Sequence, residues 1–166
     1  MKKFALTLMI LLSFTFGYSQ TYQTAIGVKG LGGGHYGGGG INLKHFIAGP
    51  NALELTVGGG NRHLNAQLLY EWQHSTDLAE GLDWYVGLGG TVGTWRNGYY
   101  HPVHDDYYYK RGLYLDVNAV IGLDWNLEPV IDIPLGLAVD VGPSIGLINS
   151  RLWGWGGAFA IRYILK

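Results

Sequence analysis

Apolar and polar residues alternate along most of this chain with a period of two. From Leu64 to Gln73 one parity reads Leu64, Ala66, Leu68, Tyr70, Trp72, and the other Asn65, Gln67, Leu69, Glu71, Gln73. From Leu113 to Asn126 one face is Leu113, Leu115, Val117, Ala119, Ile121, Leu123, Trp125. Its opposite is Tyr114, Asp116, Asn118, Val120, Gly122, Asp124, Asn126. Successive side chains of a strand point to opposite faces, so this alternation marks strands lying between two different surroundings. No segment beyond the N-terminal region shows helical periodicity. The runs predict about eight strands of roughly ten residues. They fall near Tyr22–Gly30, Gly37–Ile47, Ala52–Gly60, Leu64–Gln73, Leu82–Thr94, Leu113–Asn126, Ile133–Val141 and Gly157–Leu165.

The connections form two alternating classes. One holds Gly49-Pro50-Asn51, Ser75–Gly81 and Leu127–Asp132. The other holds Leu31–Tyr36, Asn61–His63, the long Trp95–Gly112 and the Trp-rich Leu147–Trp155. With up-and-down topology each class gathers at one end of the sheet.

The polar parity is rich in Gly, Ala, Asn and Thr with single charges, and lacks the dense Lys and Glu cover of a soluble surface. The apolar parity is uniformly large. This distribution fits a closed barrel with an outward apolar band and a narrow polar interior. Tyr70, Trp72, Trp84, Trp125 and Tyr163 lie on the apolar parity near one predicted end, as an interface girdle would. Trp95, Trp153 and Trp155 fall near the other end. A soluble, lipocalin-like carrier is the rival architecture, and it requires the apolar parity to point inward.

Composition supports this picture. Charged residues make up only 14%, against roughly 25% in ordinary globular proteins, while glycine contributes 28 of 166 residues and aromatics 14%. The start, MKKFALTLMILLSFTFGYSQ, has a basic n-region at Lys2 and Lys3, an apolar core from Phe4 to Phe16 and small residues at Gly17 and Ser19. It reads as a signal peptide over residues 1–19, leaving a single barrel domain over 20–166. Without Lys2 and Lys3 the charges are nine Lys+Arg against twelve Asp+Glu, which is no footprint for nucleic acid. There is no cysteine, hence no lipoprotein signal and no disulfide framework.

The alternating strands, the signal peptide, the run GGGINLKHF (Gly38–Phe46) and the terminal AFAIRYILK resemble the small outer-membrane β-barrel proteins of Gram-negative bacteria, especially the glycine-rich ones of the Bacteroidota. The resemblance spans the mature chain. It implies an all-β, up-and-down antiparallel transmembrane barrel in the cell outer membrane, expected to be a monomer. Its implied partners are outer-membrane lipids, lipopolysaccharide and the barrel-assembly machinery, with no cofactor. Such barrels usually end on an aromatic residue; this chain ends Ile164-Leu165-Lys166, so Tyr163 or Phe159 would have to serve.

The polar parity collects Lys29, Lys44, Glu54, Glu71, Asp83, Asp116, Asp124, Asp140 and Arg162. Facing lipid they would be costly; facing one another in a narrow lumen they can pair. They predict either a salt-bridged plug, the favoured expectation, or a narrow cation conduit. Gly142-Pro143-Ser144-Ile145-Gly146 matches G-x-S-x-G, but a nucleophile elbow needs a following helix and none is predicted. Ser144 with a loop histidine is therefore a minor candidate for lipid hydrolysis, and no enzymatic activity is expected. Gly32–Gly37 fits G-x-G-x-x-G but lacks the helix whose N-terminus would hold a pyrophosphate. In the long loop, His101 and His104 with Asp105 and Asp106 have no specific metal-ligand spacing. Tyr99, Tyr100, Tyr107, Tyr108 and Tyr109 are better read as a recognition surface, or equally as an upper girdle on strands that run past the membrane. The leading function is structural or surface interaction: membrane integrity, adhesion or recognition through the loops.

Overall fold

The computed structural model describes residues 22–33, 37–60, 63–101, 106–150 and 153–165; for 97–101 and 106–111 it describes the backbone alone. The predicted signal peptide lies outside these residues.

Eight strands are present: β1 (Thr24–Gly33), β2 (Gly38–Ala48), β3 (Asn51–Gly60), β4 (His63–Ser75), β5 (Leu82–His101), β6 (Asp106–Asn126), β7 (Leu135–Ile148) and β8 (Gly154–Leu165). Each pairs antiparallel with its sequence neighbours, and β1 pairs with β8, so the sheet closes in the order 1 to 8. Closure leaves no free edge in the barrel wall. One circuit of the registers displaces the chain by ten residues. For eight strands that stagger corresponds to a tilt of about 40°.

The alternation has the polarity expected of an inverted protein. Val28, Ile41, Val57, Leu64, Leu88, Ile121, Val139 and Phe159 are all at least half exposed on the outer wall. Lys29, Lys44, Glu54, Glu71, Asp124 and Arg162 are at most 1% exposed inside. The carrier alternative, which needs the apolar parity inside, is excluded by this arrangement.

The structure lengthens several predicted strands. The segment Trp95–Gly112, expected as a long loop, is mostly a hairpin. β5 and β6 stay in register from Trp95↔Gly112 to His101↔Asp106, because the Tyr-rich sequence on both sides favours a paired, pleated backbone. β4 reaches β5 only as far as His63↔Trp95, and β7 reaches β6 only as far as Ile148↔Leu115, so the tip projects as a two-stranded ribbon. β7 continues past Val141 to Ile148, with Pro143 inside it. Connection 127–134 contains one helical turn, α1 (Glu128–Ile131), opened by Pro129 and ended by Asp132 in the left-handed region. The β2–β3 turn runs through Gly49, whose φ of 53° suits glycine.

Candidate functional site: a charged lumen

Inward positions of all eight strands build the lumen, and they divide into three levels. At the end carrying the strand termini Thr24 and Leu165, the interior is closed by apolar side chains: Ala25, Phe46 and Ile164 are all buried. Tyr22, just before β1, meets Phe46 edge-on at 5.1 Å and donates a hydrogen bond to Asp124 Oδ2 at 3.2 Å. Burial and the Asp124 carboxylate push its hydroxyl well above the ordinary phenol range, so it stays a donor.

Above this cap sits an ionic layer. Lys29 Nζ lies 2.5 Å from Glu54 Oε1 and 2.8 Å from Asp140 Oδ2. Lys44 Nζ lies 2.8 Å from Glu71 Oε2 and 2.6 Å from Asp124 Oδ2. Arg162 joins the two pairs: Nη2 contacts Glu54 Oε2, Nη1 lies 3.3 Å from Asp124 Oδ2, and Nε donates to Asn42 Oδ1 at 2.5 Å. Neutral groups take up part of what remains, while Glu71 Oε1 and Asp124 Oδ1 are buried with no hydrogen-bond partner among the described residues. Asn42 donates to Thr56 Oγ1 at 2.9 Å, Lys44 to Gln73 Oε1 at 2.6 Å, and the Tyr85 hydroxyl to Asp140 Oδ2 at 2.9 Å. Lys44 Nζ also lies 4.8 Å from the centroid of the Tyr85 ring. The register contributes to the convergence: Lys44 faces Glu54 directly across β2 and β3, and Arg162 on β8 is paired with Gly136 on one side and Gly27 on the other.

Glycine makes the space for Tyr85. A Cβ on Gly122 would come within 2.6 Å of the Tyr85 ring and 2.6 Å of Val139 O, so the ring lies where a side chain at 122 would be.

Towards the other end the lumen opens into a small polar cavity of about 70 Å³, lined among others by Asn65, Gln67, Thr91, Asp116, Asn118 and Ser144. Thr91 Oγ1 accepts from Asn118 Nδ2 at 2.7 Å and from Gln67 Nε2 at 3.3 Å.

Of the nine charged residues predicted for the lumen, seven converge in the ionic layer: Lys29, Lys44, Arg162, Glu54, Glu71, Asp124 and Asp140. Asp83 stands nearer the mouth by the termini and accepts from Gln73 Nε2 at 2.9 Å. Asp116 lines the outer cavity, six residues along β6 from Gly122, the register partner of Asp140; that is about 20 Å along the strand. Asn42, Thr56, Gln73 and Tyr85 were not singled out by sequence reasoning, although their parity places them inside.

Ser144 lies within β7, in a strand rather than a strand-to-helix turn, and its buried Oγ has no hydrogen-bond partner among the described residues. No histidine is among the described residues lining its cavity. The five loop tyrosines have backbone positions on the ribbon; their side chains, that of His101, and all of His104 and Asp105 lie outside the described residues.

On the outer wall, Tyr70 and Trp72 meet edge-on at 4.7 Å, Trp84 stacks on His74 at 4.5 Å, and Trp125 Nε1 donates to Glu80 O at 3.1 Å. With Tyr163 these residues lie on β4, β5, β6 and β8, near the end that carries the termini. Trp153 and Trp155 are more than half exposed at the other end, 6.2 Å apart edge-on. Trp95 is at that height too, but on the inward parity and packed over Gly112, because it continues the Tyr85–Thr91–Gly93 face of β5.

An apolar wall around a salt-bridged lumen in an eight-stranded meander is decisive for the fold. This is an outer-membrane-type β-barrel fold. Solved structures agree. The N-terminal β-barrel domain of Pseudomonas aeruginosa OprF matches with a TM-score of 0.57 and 15% identity, over 87% of this chain and 100% of that one. Neisserial surface protein A matches with a TM-score of 0.54 and 7% identity, over 86% and 96%. At these identities the likeness is one of fold. No protein-family model and no curated protein sequence matches the chain.

Proposed function

We propose that this chain is an integral outer-membrane barrel whose lumen is sealed by its ionic layer, and that its role is structural or one of surface interaction at the end bearing the β5–β6 ribbon. The observation that carries this reading is the polarity of the wall: large apolar residues outside, charges paired inside. From Trp84 to Thr94 the outward parity of β5 spans ten residues, which at about 3.3 Å each and the barrel tilt makes a band about 25 Å tall, the height of an outer-membrane hydrocarbon layer. Tyr70, Trp72, Trp84, Trp125 and Tyr163 form the girdle at its periplasmic edge, and the N-terminal segment serves as the export signal. GGGINLKHF and AFAIRYILK support the glycine-rich Bacteroidota type.

The sealed-lumen reading is favoured over the conduit because the layer is continuous. Lys29, Glu54, Arg162, Asp124 and Lys44 form one chain of contacts across the interior, with Tyr85 and Leu69 filling the space around it. In planar bilayers the protein is expected to show near-zero conductance, and steady cation-selective steps would favour the conduit. In detergent the folded chain should migrate differently before and after boiling, and in vesicles protease should spare the strands. A mature chain soluble without detergent would refute the membrane placement.

A further inference from the structure

Above the ionic layer the lumen holds buried polar atoms without partners. Asn65 Oδ1 and Ser144 Oγ have no hydrogen-bond partner among the described residues, and the two residues are only 6% and 7% exposed. They stand on β4 and β7 and line the same cavity of about 70 Å³. Buried polar groups are paired as a rule, so two unpaired oxygens lining one cavity point to an occupant.

The cavity owes part of its space to glycine. Gly33, Gly156 and Gly142 pair in one row across β1, β8 and β7, and all three line it without a side chain. Oxygen-bearing side chains supply the polar lining. Thr91 Oγ1 accepts from Asn118 Nδ2 and Gln67 Nε2, which leaves the carbonyl oxygen as the acceptor each amide contributes. Asn118 and Ser144 are register partners across β6 and β7, and Asp116 and Thr91 are partners across β5 and β6. Asp116 brings a carboxylate to the lining. Its two oxygens offer about four acceptor positions, so it can ligate a guest alongside the interaction it already has. No Lys, Arg or His is among the described residues lining the cavity. The ionic layer beneath, with three cations against four carboxylates, adds negative charge. The lining therefore suits a cation and repels an anion.

We propose that this cavity binds a single calcium ion, held by Asn65 Oδ1, Ser144 Oγ and the Asp116 carboxylate, with water completing its shell. Hard oxygen donors without sulfur or imidazole fit an alkaline-earth ion. Calcium takes about six to eight oxygens in loose geometry, whereas magnesium demands a regular octahedron and gives up its waters reluctantly. The space suffices: a water needs about 10–15 Å³ of such volume, so the cavity takes an ion with several waters. Among the described residues no three His, Asp or Glu side chains group as a metal site. One carboxylate with neutral oxygens makes a weak site, with a Kd on the order of 10⁻⁴–10⁻³ M. Bound there, the ion links β4, β6 and β7 below the ribbon.

The test uses the mature chain refolded in nonionic detergent micelles, stripped of divalent ions with a chelator and titrated with calcium chloride in a calorimeter at fixed ionic strength. The wild type should take up a single ion with the Kd given above, and magnesium should bind more weakly. Asn65→Ala and Ser144→Ala should each lose about tenfold in affinity, and Asp116→Asn at least as much. D77N/E80Q, which removes carboxylates from the β4–β5 connection at the opposite end, should bind as the wild type does. Ser144→Ala removes only a hydroxyl without a partner and keeps the fold in calcium-free buffer, which separates lost binding from lost folding. In urea unfolding, calcium at about ten times the wild-type Kd should raise the folding equilibrium constant about tenfold for the wild type and only about twofold for Ser144→Ala. Absence of saturable binding up to about 10 mM calcium would overturn the site. So would equal affinity of the wild type and the Asn65 and Ser144 variants, since the ion would then sit elsewhere. Displacement of calcium by an equal concentration of potassium would overturn the assignment to calcium.

Discussion

Replacing Arg162 by methionine removes the link between the two halves of the ionic layer. The guanidinium is 1% exposed and touches Glu54, Asp124 and Asn42, which are themselves 1%, 1% and 0% exposed. The substitution changes the layer from three cations against four carboxylates to two against four. Glu54 keeps Lys29 at 2.5 Å and Asp124 keeps Lys44 at 2.6 Å, so neither carboxylate is left isolated. Removing one partner of a buried pair costs about 3–5 kcal/mol, and the retained lysines set the expected loss near the lower end, about 3 kcal/mol. That is roughly a 150-fold change in the folding equilibrium. Glu54→Gln should cost somewhat less, since Arg162 then keeps Asp124 and Lys29 keeps Asp140. The double variant should cost little more than Arg162→Met alone, giving a coupling of about 1.5–3 kcal/mol. Urea unfolding of vesicle-inserted protein, followed by fluorescence of the six tryptophans, reads all four corners of the cycle. A loss below about 1 kcal/mol for Arg162→Met, or strictly additive single effects, would refute the claim that the layer acts as one unit.

Other substitutions test other parts of the molecule. Leu88→Arg, on the outer wall near mid-band, should destabilise the inserted barrel by about 2–4 kcal/mol in the same urea assay; a wall facing water would tolerate the change. Gly122→Ala should cost about 1–3 kcal/mol by pushing the Tyr85 ring off its seat and lengthening its hydrogen bond to Asp140; unchanged stability would mean the ring has room to move. Ser144→Ala should be neutral or stabilising by up to about 1 kcal/mol, because it removes a buried hydroxyl that has no partner among the described residues. The same variant should leave lipid hydrolysis at background level, and a loss of a measurable rate would revive the catalytic reading.

Strand number, parity and the two ends of the barrel were legible in the chain because the pleat converts a two-residue rhythm directly into two faces. Leu64–Gln73 and Leu113–Asn126 specify inside and outside without any knowledge of their neighbours, and their aromatic residues mark one rim. The ends of β5, β6 and β7 were not legible. Gly98, Pro143 and the polar residues around 96–111 look like loop composition, and only cross-strand pairing keeps them extended. Nor does parity say which charges meet. Asp116, Asp124 and Asp140 are alike in sequence, all inward on glycine-rich strands. The ten-residue stagger of the closed sheet carries Asp124 and Asp140 to the height of Lys44, Lys29 and Arg162 and leaves Asp116 about 20 Å away along its strand. Sequence alone therefore determined which face each charge takes. Its partner was decided by the shear of the closed barrel, because the height of a side chain depends on every register between it and the residue it meets.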